Sequence, residues 1–449
     1  MSLRRYPEYK NSGIPWIGSI PAGWSVLPLI SIASERTESN VGMSEDNLLS
    51  LSYGRIVRKD IQANDGLLPE SFETYQIIKP GDVVLRLTDL QNDKRSLRSA
   101  LVEERGIITS AYLAIQPTKV ESHFLAYLLR TYDLTKVFYS MGGGLRQSMK
   151  FTDMKRMPMV IPSHEEQAGI ADFLDRETGK IDALIAEQNK LLTLLAEKRQ
   201  ATISHAVTRG LNPDAPMKDS GVAWLGEVPE HWGNSKKLLD LAHGDRHSFV
   251  NGPFGSDLLT SELVGEGVPV IYIRDIKLSG YLRVSEWCVT PEKAEQLKFC
   301  NVIPGDVLVA KVGDPPGLAT VYPQGEVNGI VTQDVIRLRV DPVKASAEYV
   351  RWLLNSKYGQ TQIDHISVES TRTRVGLGEY KQLRFFVPPL HEQTAIADFL
   401  EAETTKLDAL KAEAERVIDL LKERRGALIA AAVTGKIDVR NAVPQELAA

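Results

Sequence analysis

The feature that most constrains this chain is that it follows one plan twice. Residues 12–24 read SGIPWIGSIPAGW and residues 220–232 read SGVAWLGEVPEHW. Ser12/Ser220, Gly13/Gly221, Trp16/Trp224, Gly18/Gly226, Pro21/Pro229 and Trp24/Trp232 coincide. Later segments answer each other in the same order: Pro80-Gly81-Asp82-Val83 and Pro304-Gly305-Asp306-Val307, then Gly106-Ile107-Ile108-Thr109 and Gly329-Ile330-Val331-Thr332. The apolar runs at 124–129 and 349–354, Ile170–Leu174 and Ile396–Leu400, and Ala206-Val207-Thr208 and Ala432-Val433-Thr434 complete the series. Ordered self-similarity of this kind means a tandem duplication. It suits a length of 449 residues, too long for one ordinary domain.

The spacing between copies is as telling as the matches. Trp16 and Trp224 are 208 residues apart, Asp82 and Asp306 are 224 apart, and Ile170 and Ile396 are 226 apart. The drift falls between the tryptophan and Pro-Gly-Asp motifs, where roughly 33–75 and 241–300 do not align. A scaffold kept constant around one changed region suits a protein that reads two targets. Drift in a long loop is the plainer alternative.

Two segments carry a seven-residue apolar period. With Gln167 at position a, Leu174, Ile181 and Leu195 fall at a, and Leu184 and Leu191 fall at d. Shifting by 226 puts Leu400, Leu407 and Leu421 at a, and Leu410 and Val417 at d. Such a seam predicts long helices that pair with a partner helix. Both stretches lack proline, Ser163-x-x-Glu166 reads as a capping box, and Gly210 and Gly435 mark the ends. About 40 residues give ~60 Å of helix. Parallel pairing, antiparallel pairing and packing of each helix on its own domain are all open to the pattern. The twofold pseudo-symmetry of a duplication favours the antiparallel pair.

The remaining sequence predicts an α+β fold: two similar mixed α/β domains separated by the two long helices. Strands are expected at 50–53, 83–87, 111–115, 270–273, 307–310 and 335–339, and helices at 123–139 and 347–358. The organisation is a first domain at 1–160, a long helix at 161–211, a second domain at 212–387, and a second long helix with its tail at 388–449.

Composition excludes several classes. Charged residues make up 25% and hydrophobic residues 43%, as in ordinary globular proteins. No apolar run is long enough to span a membrane, and no secretory leader is visible, so a cytoplasmic location is expected. Two cysteines, Cys288 and Cys300, can neither staple this chain nor complete a four-ligand zinc site. The net charge of -5 argues against a uniformly basic nucleic-acid binder. Residues 1–160 nevertheless hold 20 Lys/Arg against 17 Asp/Glu, so a DNA-binding reading rests on local patches.

The candidate DNA contacts in the first copy are Arg55, Arg58 and Lys59, then Arg86, Lys94 and Arg95 with Arg98 beside them, and Arg146, Gln147 and Ser148 in a glycine-rich loop. In the second copy they are Arg246, Asn251, Ser256, Arg274, Lys277 and Lys311, with Arg372, Thr373 and Arg374 answering the glycine-rich loop. Arginine reads guanine and Gln or Asn reads adenine, while Lys, Ser and Thr mostly hold phosphates. A solvated surface charge is the competing reading for each one alone. Catalytic motifs fail: Asp314-Pro315-Pro316-Gly317 has glycine where an amino-methyltransferase loop needs an aromatic ring. Gly376-Leu377-Gly378 and Gly435-Lys436 are fragments of nucleotide loops, and the histidines form no metal-binding motif. No catalytic residue and no metal ligand is assigned.

The paired S-G-x-x-W-x-G-x-x-P-x-x-W motifs, the E-Q-x-x-I-A-x-F-L type segments at 166–174 and 392–400, and the alternation of domain and long helix resemble the specificity subunits of Type I restriction–modification enzymes. The resemblance covers essentially the whole chain. It implies two target recognition domains, each reading half of a split double-stranded DNA site, with an antiparallel coiled coil setting their separation. It further implies docking of two methyltransferase subunits and, in the full enzyme, restriction subunits. S-adenosylmethionine, ATP and magnesium would belong to those partners, with no cofactor on this chain. The alternatives are a non-catalytic coiled-coil adaptor for protein or glycan, and a self-sufficient methyltransferase using Asp314-Pro315-Pro316.

Overall fold

The computed structural model describes residues 4–62, 69, 71–90, 97–140, 148–253, 255–313, 315–366 and 375–440. The chain divides into two compact units, Met1–Asn189 with Glu415–Ala449, and Lys190–Ala414. The two long helices, His164–Arg209 and Leu390–Val433, each contribute to both units. The Ser163 hydroxyl caps the first by accepting the Glu166 N–H at 3.3 Å. Gly210 and Gly435, with φ of 73° and 71°, end the two helices in the left-handed conformation that glycine adopts freely. Among the described residues no helix is long and apolar enough to cross a membrane.

In the first unit a four-stranded antiparallel sheet runs Ala33–Glu35, Leu113–Pro117, Val83–Leu85, Ser99–Leu101. The third expected strand starts late because Tyr112 N–H closes a turn onto the Thr109 carbonyl. The helix Ser122–Leu134 packs on this sheet through Phe124, Leu125, Leu128 and Leu129. It stops short of 139 because the chain turns at Lys136, where φ is 63°. The second unit repeats the order: Phe249–Asn251, Val335–Leu338, Val307–Ala310, Ala319–Val321, covered by the helix Ala347–Asn355. A second helix, Lys357–Ile366, follows where a single one ending near 358 was expected. Within this unit a further four-stranded sheet contains the parallel pair Val268–Ile271 and Gly329–Val331.

The Pro-Gly-Asp motif is a turn locked by its carboxylate. Asp82 accepts the Lys79 N–H at 2.9 Å and takes a two-pronged ion pair from Arg36 at 2.9 and 2.8 Å. Asp306 accepts the Ile303 N–H at 2.9 Å and takes the same fork from Arg339 at 2.9 and 2.8 Å. The acid is common to both copies, while its arginine comes from different strands: Arg36 follows Ala33–Glu35, and Arg339 follows Val335–Leu338. Such forks are the strong form of ion pair.

The E-Q segments also acquire a physical reason. The Gln167 side chain accepts the Glu121 N–H at 2.8 Å and donates to the Pro162 carbonyl at 3.0 Å. Gln393 accepts the Ser346 N–H at 2.9 Å and donates to the Pro388 carbonyl at 2.9 Å. Each buried amide thus ties the start of a long helix to the start of its domain's covering helix. The preceding glutamates face the other way: Glu166 accepts the Tyr6 hydroxyl at 2.6 Å, and Glu392 accepts the Trp232 indole N–H at 3.2 Å. Of the motif tryptophans, Trp24 and Trp232 are buried, while Trp16 and Trp224 are half-exposed.

The long helices pair antiparallel within each unit. In the first, Ile170, Phe173 and Leu174 share a core with Ile429, Ala432 and Val433. In the second, Ile203, Ala206 and Val207 share one with Ile396, Ala397 and Leu400. In the a row Leu174, Ile181, Leu195, Leu400 and Leu407 are buried, and Leu421 is half-buried. The d row needs correction. Leu184, Leu191 and Leu410 are 52%, 41% and 55% exposed, and Val417 is only half-buried. The second inward row lies one residue later: Ala171, Thr178, Ala397, Thr404 and Ile418 are buried, and Ile185 and Leu192 are half-buried. Alternating steps of four and three satisfy the same period, and the small Ala and Thr side chains on this face allow close approach.

Candidate nucleic-acid interface

The first cluster of cations lies on a tight hairpin. Strands Leu49–Ser52 and Arg55–Arg58 pair with Ser52 opposite Arg55, leaving Tyr53-Gly54 as the two-residue loop. Arg55 reaches Asp182 of the first long helix at 3.3 Å. Arg58 grips Glu104 with a forked contact. That pair lies at the surface, where its hydrogen bonds hold the Glu104 carboxyl below its ordinary range. Lys59 is exposed and makes no ion pair among the described residues. Arg86 is half-buried and directly follows the inner strand Val83–Leu85. Ser148 is exposed, while Lys94, Arg95, Arg146 and Gln147 lie outside the described residues.

Arg98 is a correction. Its side chain is fully buried and donates to the carbonyls of Arg86, Thr88 and Asp89 and to the Tyr139 hydroxyl. It braces the neighbouring loop from inside and presents nothing to a duplex. A cation three residues after Arg95 gave no sequence signal of this burial.

In the second unit Arg246 and Ser256 are exposed. The Asn251 amide nitrogen is directed at the Gly252 and Gln333 carbonyls, both at 3.3 Å. Arg274 donates to the Ser285 hydroxyl at 2.7 Å and lies 5.0 Å over the Tyr272 ring. Lys277 and Lys311 are half-buried, and Lys277 makes no ion pair among the described residues. Arg372, Thr373 and Arg374 lie outside the described residues, as does Asp314 of the rejected methyltransferase motif. Lys277 sits on a second tight hairpin, Ile276–Lys277 paired with Gly280–Tyr281.

The two hairpins occupy the same place in their units. Gly54, Arg55 and Ile56 border a groove of about 800 Å³ whose other wall is Tyr127, Arg130, Asp175 and Asp182. Ser279, Gly280 and Tyr281 border a groove of about 540 Å³ whose other wall includes Glu348, Arg351 and Glu401. Both grooves run between a domain's covering helix and a long helix. The first is bridged by the Tyr127 hydroxyl and the His123 ring, both on Asp175, and the second by Arg351 on Glu401 at 2.8 Å. Asp175 and Glu401 are 226 residues apart, so one clasp is built from different chemistry in the two copies. Sequence comparison missed the correspondence of the hairpins because they lie in the windows that do not align.

Among the described residues no group of His, Cys, Asp and Glu could hold a metal ion. Two perturbed guanidinium groups are structural: burial lowers that of Arg130 to about 10, and burial lowers that of Arg337, 4.0 Å from Asp306, to about 10.

A duplicated α+β domain, each copy mounted on a pair of antiparallel helices and carrying a short hairpin beside a groove, defines a protein of two paired modules. No protein-family model matches the chain. Over 98% of its length it is 24% identical to 99% of the protein named as the type I restriction enzyme MjaX specificity subunit of Methanocaldococcus jannaschii. Over 94% it is 20% identical to 90% of the type I restriction enzyme StySPI specificity subunit of Salmonella potsdam. Its fold matches a chain from a structure of a type I restriction–modification system with a TM-score of 0.64, at 18% identity over 92% of this chain and 98% of that one. It matches the HsdS subunit from Thermoanaerobacter tengcongensis at 0.53, with 17% identity over 93% and 98%. Over nearly its whole length the chain is thus similar to type I restriction-enzyme specificity subunits.

Proposed function

We propose that this chain reads DNA for a type I restriction–modification enzyme, each domain recognising one half of a bipartite duplex site. The observation that carries the reading is the pattern of what repeats. The anchoring tryptophans, the Pro-Gly-Asp turns and the glutamine ties recur in both copies, while the hairpin windows differ. A constant mount with two unlike readers recognises an asymmetric split site. The exposed Arg55, Arg58, Lys59, Arg246 and Ser256 are the described candidates to touch it, with Lys277 at the second hairpin's edge.

The antiparallel helices act as the spacer between the half-sites and as the seat for partners. Exposed leucines support the second role: Leu184 and Leu410 are 226 residues apart, as are Leu194 and Leu420, and all four are 51–55% exposed. Apolar residues kept at the surface of both copies suit two copies of one partner. On this reading the partners are two methyltransferase subunits carrying S-adenosylmethionine, with restriction subunits using ATP and magnesium in the full enzyme, in the cytoplasm. The partners also supply basic surface that a chain of charge -5 lacks. The assembled complex therefore binds its site more tightly, and with a steeper salt dependence, than the isolated chain.

The test is methylation sequencing of a host with and without this chain, then with one heptad deleted from each long helix. The expected result is a split motif that appears only with the chain, and a shortened spacer with unchanged bases in the deletion. Altered bases with an unchanged spacer would overturn the spacer role, and no motif dependent on the chain would overturn the reading itself.

A further inference from the structure

The hairpins share a detail that the cations do not explain. In each, the first residue of the two-residue loop is apolar and points into solvent: Tyr53 is 87% exposed and Leu278 is 55% exposed. Tyr53 is also in an unfavourable conformation. Its φ is 46° and that of Gly54 is 77°, the pairing of tight hairpin turns that prefer Asn-Gly. A bulky aromatic side chain in this region is an outlier that points towards function.

The loop around Tyr53 is held firmly. Arg130 donates to the carbonyls of Gly54 and Ser99, and Arg55 is tied to Asp182. A Cβ on Gly54 would come within 2.5 Å of the Arg130 guanidinium, so a larger residue there would have to displace that brace, besides adopting a φ of 77°. In the second hairpin the buried Asp275 does the bracing: one oxygen accepts the N–H groups of Val284 and Ser285, each at 2.9 Å, and the other accepts that of Tyr272. Two unrelated sequences thus present one projecting apolar side chain on a stiff mount, with Lys277 next to the second tip and Lys59 at the base of the first hairpin, neither in an ion pair among the described residues.

We infer that Tyr53 and Leu278 are the probing tips of the two recognition domains, making apolar contact with bases or a groove edge of duplex DNA, while Lys59 at the base of the first hairpin and Lys277 beside the second tip hold phosphates. This inference rests on the DNA-reading function proposed above. Two observations favour DNA over a protein partner. The tips lie in the windows that differ between copies, where a target-specific contact belongs and a contact with a repeated partner does not. Each hairpin carries or adjoins cationic residues, Arg55, Arg58 and Lys59 in the first and Lys277 in the second, as a polyanion requires. Apolar side chains inserted at base steps, and aromatic rings stacked on bases, are established modes of such contact.

The experiment uses the full chain assembled with its methyltransferase partner, and a duplex carrying the motif found by methylation sequencing. Tyr53→Asn places a residue that suits positive φ better, so the thermal midpoint should hold or rise. The dissociation constant for the duplex should rise about tenfold, with an unchanged salt slope because no cation is removed. Leu278→Ser should relax base preference in one half-site, and Tyr53→Asn in the other. Unchanged affinity and unchanged base preference in both variants would overturn the inference. Weakened assembly with the methyltransferase, at unchanged DNA affinity once assembled, would overturn it in favour of a protein contact. Failure of the unmodified complex to bind the duplex specifically would overturn the functional reading beneath it.

Discussion

The Arg425 guanidinium lies 3.1 Å from the Asp182 carboxylate across the paired helices of the first unit. Its counterpart in the second unit is Arg199 with Asp408 at 3.2 Å. Both the acids and the arginines are 226 residues apart, so one ion pair has been written twice with donor and acceptor helices exchanged. Antiparallel pairing of the helices in each unit lets one sequence motif supply both. The groups are partly exposed, so Asp182→Ala should cost about 0.5–1 kcal/mol. Asp182→Arg should cost more, because it places a third cation beside Arg425 and Arg55. Adding Arg425→Asp should restore most of that loss. Calorimetric midpoints of the three variants check this, and failure of the second substitution to rescue would show that the charge pair is not what matters.

The buried carboxylates of the Pro-Gly-Asp turns differ in what they hold. Asp82 faces Arg36 alone on its fork, whereas Asp306 faces Arg339 and also lies 4.0 Å from the almost fully buried Arg337. Removing the charge should therefore cost unequally: about 3 kcal/mol for Asp82→Asn and more for Asp306→Asn, which leaves a buried guanidinium without its carboxylate. Urea titrations of the two variants should show the larger loss for the second. The opposite order would mean that Arg337 is satisfied without Asp306.

Much of this architecture is legible in the residues, and the failures have physical causes. The duplication, the long helices and their ends follow from Trp24/Trp232, Gly210/Gly435 and the capping Ser163, because each has one structural use there. The seam was misplaced by one residue because leucine or isoleucine stands at both candidate positions, Leu184 beside Ile185 and Leu191 beside Leu192. Periodicity cannot choose between two adjacent apolar rows; the packing partner does. Arg98 reads as a surface cation until the loop carbonyls that surround it are seen. The correspondence of the hairpins at 49–58 and 276–281 has no sequence trace at all. It exists only in where each lies against its covering helix.

Burial raises the Cys300 thiol to about 12, and its sulfur faces the Leu297 carbonyl. In the unfolded chain a thiol ionises near pH 8.5. Between roughly 9 and 12 the unfolded state has therefore released a proton that the folded state keeps, and stability falls as pH rises. Below about 8 this group contributes no pH dependence. At pH 10 the loss relative to pH 8 should be about 1–2 kcal/mol greater in the natural chain than in Cys300→Ala. Cys288 is buried as well, so neither thiol should react with a thiol reagent at pH 8 until the chain is unfolded. Rapid native labelling would contradict the packing of both.

The glutamine ties link packing to recognition. Gln167 is 2% exposed and Gln393 is fully buried, and each fixes a long helix to the covering helix of its own domain. Leucine has nearly the same volume but can neither accept the Glu121 N–H nor donate to the Pro162 carbonyl. Gln167→Leu should cost about 2–3 kcal/mol through those two unpaired groups. Its more informative effect is on geometry. If the helices set the distance between half-sites, a domain less firmly tied to its helix should tolerate a wider range of spacings while reading the same bases. Methylation sequencing with Gln167→Leu should then show the spacer broadening by about a base pair, or ~3.4 Å of duplex. Gln393→Leu should act alike through the other domain. A destabilised chain that still methylates one spacer length only would make the glutamines ordinary structural residues and leave the spacing to the helices alone.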